Sequence, residues 1–138
     1  MTKEKLYEIR FQAKAERLSL VRALVKEATE IVGCNKELSE KLVIAVNEAC
    51  MNIIQHAYKG DESGEIIFEV LSSKKEINFK MVDFANPIDL RSVKPRDLDD
   101  IRPGGLGTHF IDEIMDECKI SHLEDGRGNC IEMKKKIN

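Results

Sequence analysis

The chain has 138 residues, of which 42% are hydrophobic and 34% are charged, and its formal net charge is -3. This length and balance predict one domain spanning residues 1–138 and exclude a disordered chain or an integral membrane protein. Basic residues are scattered except for the run 134–136, so we expect no direct partnership with nucleic acid.

The beginning of the sequence and the cysteine spacing restrict the class of protein further. The start, MTKEKLYEIRF, has no apolar signal region, and no apolar run is long enough to span a bilayer. The cysteines occur singly, without the C-x-x-C spacing typical of structural zinc. We therefore expect a cytoplasmic protein with no membrane partner, no structural zinc site and no disulfide framework.

The first part of the chain predicts a strand followed by two helices. Residues 6–12 alternate between apolar and polar types, which is typical of a half-buried strand. Apolar residues at helical spacing then predict a helix over 19–33 and a second over about 39–60, each ending at a glycine.

The rest of the chain predicts two hairpins on either side of an irregular segment. Alternating runs at 64–72 and 76–84 favour an antiparallel hairpin. Prolines and glycines interrupt any periodicity over about 85–107, a length typical of a functional lid. A third helix is predicted from Thr108 to about Cys118, and the strands KISHL and CIEMKKKI would close the fold.

This order of elements favours an α+β fold. Strands and helices are grouped and do not alternate strictly, which favours a two-layer sandwich with helices on one face of a largely antiparallel, mixed sheet. The other face of the sheet could then serve a partner.

The second predicted helix carries an acid and an amide one turn apart. Glu48 and Asn52 lie about 40° apart around the helix axis, at the edge of the apolar stripe. Such a pair suits Mg²⁺ or the orientation of a hydroxyl nucleophile, although the same spacing also occurs as ordinary surface polarity.

Two further segments carry residues suited to nucleotide chemistry. Asp83 ends an apolar strand, where a carboxylate can accept a hydrogen bond from an exocyclic amine or simply open an Asx turn. Three glycines at 104, 105 and 107 precede the third predicted helix, where backbone amides can approach phosphate or the glycines can act as a hinge. Neither the P-loop nor the dinucleotide fingerprint is present.

In this order, the three segments resemble the N, G1 and G2 boxes of the GHKL superfamily of ATPases and kinases. The stretches NEACMNIIQHAY, GGLGTHF and GNCIEMKKKI are the most specific, and the similarity covers almost the whole chain. More closely, the chain resembles the small anti-sigma-factor serine/threonine kinases of the RsbW type, which implies a Bergerat ATP-binding fold with an ATP lid.

The resemblance also implies roles for individual residues. Glu48 would be the general base that takes the proton from a serine or threonine of a partner, and Asn52 would bind the Mg²⁺ that bridges the phosphates of ATP or ADP. Asp83 would accept a hydrogen bond from the adenine amine. Further nucleotide contacts would come from Ala85, Gly104, Gly105, Leu106, Gly107, Thr108 and Asn129.

Partners follow from the same resemblance. The chain would phosphorylate an anti-anti-sigma protein of the STAS type and bind a sigma factor, and Arg22 on the first helix would contact a protein partner. A homodimer is also expected by analogy. Two alternatives stay open: an ATP-gated binding module of the same fold without kinase activity, and an α+β interaction domain that binds no nucleotide.

Overall fold

The computed structural model describes residues 3–89 and 111–137. The described strands form one five-stranded sheet in the order β1-β2-β3-β5-β4, and every pairing between them is antiparallel. The expected α+β class with a largely antiparallel sheet is therefore confirmed, and among the described strands no parallel pairing occurs. The strands are β1 (Glu4–Gln12), β2 (Glu65–Ser72), β3 (Glu76–Asp83), β4 (Glu117–His122) and β5 (Asn129–Lys136).

Two antiparallel helices cover one face of this sheet. A 3-10 turn at Ala15–Arg17 leads into α1 (Leu18–Ile31), and α2 (Lys36–Asn52) continues directly into a π-helical segment at Ile53–Ala57. Alternate residues of β2 and β3 are buried beneath the helices, with the rings of Phe68 and Phe79 stacked 6.2 Å apart at the centre. No described helix is long and apolar enough to cross a membrane.

The second helix begins one turn earlier than the sequence predicts. Asn35 caps it, because its side-chain oxygen accepts a hydrogen bond of 2.8 Å from the backbone N–H of Leu38. Ser39, the predicted start, is buried instead against α1. The sequence contained the cap, since asparagine is among the preferred residues at this position.

The buried hydroxyl pair between the helices gives a prediction about stability. Thr29 donates to the carbonyl of Lys26 at 2.8 Å, so Ser39 must donate the 2.5 Å bond that joins the two hydroxyls. We expect Ser39→Ala to lower the unfolding free energy by about 1 kcal/mol, and Thr29→Val to cost about 2 kcal/mol because it leaves the Ser39 hydroxyl unpaired. Urea denaturation of both variants measures the difference, and equal losses would contradict this assignment of the donor.

The third predicted helix ends too late. Residues 111–114 are helical, whereas Cys118, placed at the end of that helix by its apolar spacing, lies in β4 opposite Met133. The N–H of Asp116 donates to the carbonyl of Lys134 at 2.9 Å, so pairing with β5 replaces a further helical turn. The expected lid at about 85–107 is described only as far as residue 89.

Candidate functional site

The end of α2 presents two polar side chains at the border of the core. Ala45, Ala49 and Cys50 are buried, while Glu48 and Asn52 beside them are only half-buried. Within 3–89 and 111–137, neither side chain makes a hydrogen bond or an ion pair. Both groups are therefore available for a ligand.

This end of α2 packs directly against the strand that carries the candidate adenine acceptor. The Sγ of Cys50 lies 3.7 Å from the Sδ of Met81, two residues before Asp83 on the same face of β3. The structure thus brings the regions of Asn52 and Asp83 together, although they are 31 residues apart in the sequence.

The helix changes its geometry immediately after Asn52. The N–H of Tyr58 donates to the carbonyl of Ile53 at 2.9 Å, five residues earlier, which widens the helix into a π segment. Such segments are rare and are frequent at functional sites. The helix ends after it, with Lys59 and Gly60 at φ values of 53° and 84°.

Asp83 and Asn129 form a buried polar pair at the end of β3. Their side chains are 2% and 1% exposed, and they face each other across the β3–β5 pairing. The Nδ2 of Asn129 donates to Oδ1 of Asp83 at 2.9 Å, and the N–H of Ala85 donates to the same oxygen at 3.0 Å. Both bonds end on Oδ1, which leaves Oδ2 for an external donor.

Burial governs the charge of this carboxyl. Removal from water raises the pKa of Asp83, while the hydrogen bonds from Asn129 and Ala85 act in the opposite direction. A carboxyl held in such a place at the end of a strand is more typical of a recognition site than of the core.

Ala85, a predicted nucleotide contact, follows Asp83 in an ordinary backbone conformation. Its N–H serves Asp83, and its backbone is not in the left-handed region, since Lys59 alone among the described non-glycine residues has a positive φ. An alanine is therefore accommodated here without backbone strain.

Gly128 is a site residue that sequence reasoning missed. A Cβ at this position would lie 2.1 Å from the carbonyl oxygen of Asp83, so only glycine allows the start of β5 to approach so closely. The sequence showed it only as part of the turn EDGRGN, because its neighbour across the sheet depends on the strand register.

The chain after Asp83 is fixed to the β4–β5 hairpin. The N–H of Ile88 donates to Oδ1 of Asn129 at 3.0 Å, and Nε2 of His122 lies 2.8 Å from the Ile88 carbonyl. The carbonyl of Asn86 also accepts from Nδ2 of Asn129 at 3.2 Å. Asn129 therefore holds both Asp83 and the first residues of the expected lid, and His122, which the sequence assigned no role, supports it.

A pocket of about 640 Å³ opens beside the segment that follows Asp83, although Asp83 and Asn129 themselves do not line it, nor do Glu48 and Asn52. Its volume lies within the range of small-molecule sites. One wall is the end of the π segment and the turn after it, and the other is the segment that follows β3. The lining residues are His56, Ala57, Tyr58, Lys59, Asp61 and 84–89.

The remaining candidates lie elsewhere. Arg22 is exposed on α1, where its Nη1 donates to Oδ1 of Asn47 at 2.9 Å, next to Glu48 in the sequence. The glycine-rich candidates are outside the described residues: Gly104, Gly105, Leu106, Gly107 and Thr108. Within the described ranges, no cluster of three or more histidine, cysteine or acidic side chains could hold a metal ion.

The chain is similar to known proteins over most of its length. A family model described as a histidine kinase-like ATPase domain matches residues 11–135. The serine-protein kinase RsbW of Listeria monocytogenes serovar 1/2a is 33% identical, over 94% of this chain and 86% of that protein. RsbW of Bacillus pumilus is 31% identical, over 96% and 86% of the respective chains.

Solved structures share the same fold. The RsbU and RsbW domains of a Mycobacterium tuberculosis protein match with a TM-score of 0.67 and 16% identity, covering 99% of this chain and 32% of that one. A chain of the SiaB-SiaC complex of Pseudomonas aeruginosa also gives 0.67, with 12% identity, covering 96% of this chain and 91% of its own. At these identities the likeness shows the fold alone.

Proposed function

Because this chain belongs to the histidine kinase-like ATPase family and aligns over nearly its whole length with RsbW serine-protein kinases, we propose that it transfers phosphate from ATP to a protein serine or threonine. The observation that carries the proposal is the buried Asp83–Asn129 pair, at the end of a strand that packs against α2 through Met81 and leads directly into a pocket wall at Phe84 and Ala85. If position 83 served only the hydrophobic core, an apolar residue would be favoured there, whereas a site that binds adenine needs a hydrogen-bond acceptor.

The first step is recognition of adenine by Asp83. Oδ1 already accepts two hydrogen bonds within the protein, so Oδ2 would accept from the exocyclic amine. Asn129 and the N–H of Ala85 fix the carboxylate, and Gly128 lets the start of β5 approach the backbone of Asp83 closely. This arrangement favours adenine over a base that bears a carbonyl at the same place.

The phosphates would lie toward the end of α2. Asn52 offers an amide oxygen of the kind that Mg²⁺ prefers, and this ion commonly keeps several waters and binds through one or two protein ligands together with phosphates. A single protein ligand therefore fits the lack of an acidic cluster in the described residues. When bound, Mg²⁺ would offset the charge of the phosphate oxygens. Gly104, Gly105, Leu106, Gly107 and Thr108 are proposed to contribute backbone contacts to the phosphates.

Glu48 is proposed to be the general base. It lies one turn before Asn52 on the same side of α2, and it is half-buried with no partner among the described residues. A carboxylate in that position can accept the hydroxyl proton of a substrate side chain and orient its oxygen toward the phosphate.

The protein substrate is proposed to be an anti-anti-sigma protein of the STAS type, and the sequestered partner a sigma factor. Arg22 supports this proposal, because the Arg22–Asn47 bond places an exposed cation beside the residue that precedes Glu48. A homodimer through the sheet face opposite the helices and a cytoplasmic location complete the proposal.

Calorimetry with ADP and ATP, each with and without Mg²⁺, tests the site. We expect binding by the unaltered chain to strengthen with Mg²⁺ and Asn52→Ala to lose that gain, weakening binding by about tenfold or more. Asn47→Ala is the matched control, since it removes the same side chain from the same helix but is expected to leave nucleotide affinity unchanged. Absence of binding at millimolar nucleotide would contradict the proposed function.

A further inference from the structure

The hydroxyl of Tyr58 connects the end of the α2 helical region to the end of β3. It donates to the carbonyl of Glu65 at 2.5 Å and accepts from the N–H of Phe84 at 2.8 Å. Burial raises the pKa of Tyr58, so the phenol keeps the proton that it donates at neutral pH. One side chain thus forms hydrogen bonds with two backbone groups, one at the start of β2 and one just after the end of β3.

These two backbone groups belong to neighbouring strands that separate at this point. The β2–β3 pairing ends with Ile66 opposite Asp83, and continuing this register would place Glu65 opposite Phe84. The hydroxyl lies between the N–H and the carbonyl of that next pair. The peptide bond that follows Asp83 is therefore held by a side chain and not by the neighbouring strand.

The surrounding residues make room for this phenol. A Cβ on Gly64 would lie 2.3 Å from the Tyr58 ring, so the ring occupies space that any other residue at 64 would fill. Tyr58 and Phe84 also line the same pocket. The ring follows directly on the π segment Ile53–Ala57.

We propose that Tyr58 is a positioning residue for base recognition, whose hydroxyl fixes the Asp83–Phe84 peptide and thereby the carboxylate that accepts from the amino group of adenine. This inference rests on the proposed function and adds a determinant of specificity to it. Within the described residues, the hydroxyl bonds only to the backbone of Glu65 and Phe84 and to neither Glu48 nor Asn52, so we expect its effect to fall on the base.

The test compares ADP with inosine diphosphate, which carries a carbonyl in place of the adenine amine. Tyr58→Phe keeps the ring and removes the hydroxyl. Tyr7→Phe is the matched control, because Tyr7 is the only other tyrosine and its buried hydroxyl has no hydrogen-bond partner within the described residues. Calorimetry in Mg²⁺ gives both affinities, and thermal unfolding shows that each variant is folded.

We expect the preference for ADP over inosine diphosphate to fall by about threefold to tenfold in Tyr58→Phe, the range for the loss of one or two hydrogen bonds. The affinity of Tyr58→Phe for inosine diphosphate should stay within about twofold of the value for the unaltered protein, because that base has no amine to donate a hydrogen bond to Asp83. Gly64→Ala, which displaces the ring, should reduce the same preference.

Three results would overturn the inference. An unchanged preference in Tyr58→Phe would show that the hydroxyl does not position Asp83, and equal losses for both nucleotides would show a general structural role. A similar fall in Tyr7→Phe would show that the effect is not specific to this hydroxyl. If the unaltered chain bound neither nucleotide, the proposed function itself would fail. If it bound ADP more tightly than inosine diphosphate, the proposed function would stand, and the result for Tyr58→Phe would test the inference alone.

Discussion

Glu48→Gln is expected to lower the rate of phosphoryl transfer by about 100-fold or more, the typical contribution of a general base. Glutamine keeps the size and the half-buried place of the side chain, but it cannot take the proton of the attacking hydroxyl. Since Glu48 makes no bond to the described part of the protein, its loss should leave the fold and the affinity for ADP unchanged.

The rate is measured by single-turnover transfer from labelled ATP to a purified STAS-type protein of the same organism. Glu40→Gln is the matched control, because Glu40 is exposed on the same helix and undergoes the same loss of charge. If Glu48→Gln transferred phosphate as fast as the control, Glu48 would not be the base. If both variants were slow, a general effect of charge on partner binding would explain the result.

The separation of binding from transfer decides between the kinase and the ATP-gated binding module. A module that only binds a partner needs Asp83, Asn52 and the lid, but it has no function for an acid at position 48. A strong effect of Glu48→Gln on transfer, with nucleotide affinity unchanged, is therefore expected from a kinase alone.

The local features of the site could be predicted from the sequence, because they depend on short-range patterns. The alternation in EINFKMVDF predicts a strand that ends near Asp83, and the structure confirms its end at Asp83. The apolar stripe of α2 likewise places Glu48 and Asn52 at the edge of the core, where both are half-buried.

Features that depend on strand register could not be predicted in this way. The bond between Asp83 and Asn129 joins residues 46 apart, and it exists because β3 and β5 pair in one register. The close approach of Gly128 depends on the same register, whereas the support from His122 depends on the β4–β5 pairing, in which His122 lies opposite Asn129. The resemblance indicated Asn129 as a nucleotide contact, but the residues alone gave no reason for it.

The two structural surprises have causes that periodicity cannot detect. Cys118 continues the spacing of a helical face, yet the carboxylate of Asp116 accepts from the N–H of Lys136 at 2.6 Å and directs the chain into the sheet. The amphipathic pattern is therefore a weaker determinant of the structure of this segment than the pairing of its backbone with the neighbouring strand. The π segment after Asn52 is equally hidden, because one extra residue per turn leaves the apolar composition unchanged.

Asp83→Asn is expected to weaken ADP binding by about 10-fold to 100-fold, the range for loss of a hydrogen bond to a charged group. Asparagine can still accept from Ala85 and Asn129 through its oxygen, but it would present its own N–H₂ group to the adenine amine. Two donors would then face each other in a buried place. Asp125→Asn, an exposed change that retains its turn oxygen, is the matched control.

The same variant should be more stable than the unaltered protein at neutral pH. Burial raises the pKa of Asp83 in the folded state, so its contribution to stability is fully present below the pKa of the unfolded chain and is lost as the pH rises through the folded value. Asparagine does not ionise and so avoids this loss. The excess in unfolding free energy of Asp83→Asn over the unaltered protein should therefore disappear in acid, where Asp83 is protonated. Equal stability of the two proteins at every pH would contradict the assignment.

Binding should show the opposite trend with pH. As the pH falls through the raised pKa of Asp83, the carboxylate is protonated and ADP affinity decreases, at a higher pH than for an ordinary aspartate. Asp83→Asn should bind weakly without this step, so the difference between the two profiles isolates one carboxyl from protonation of the nucleotide itself. The charged form of Asp83 is thus expected to lower the stability of the protein and to raise its affinity for ADP. This opposition is expected of a residue retained to bind a ligand, and it is not expected of a residue in the structural core.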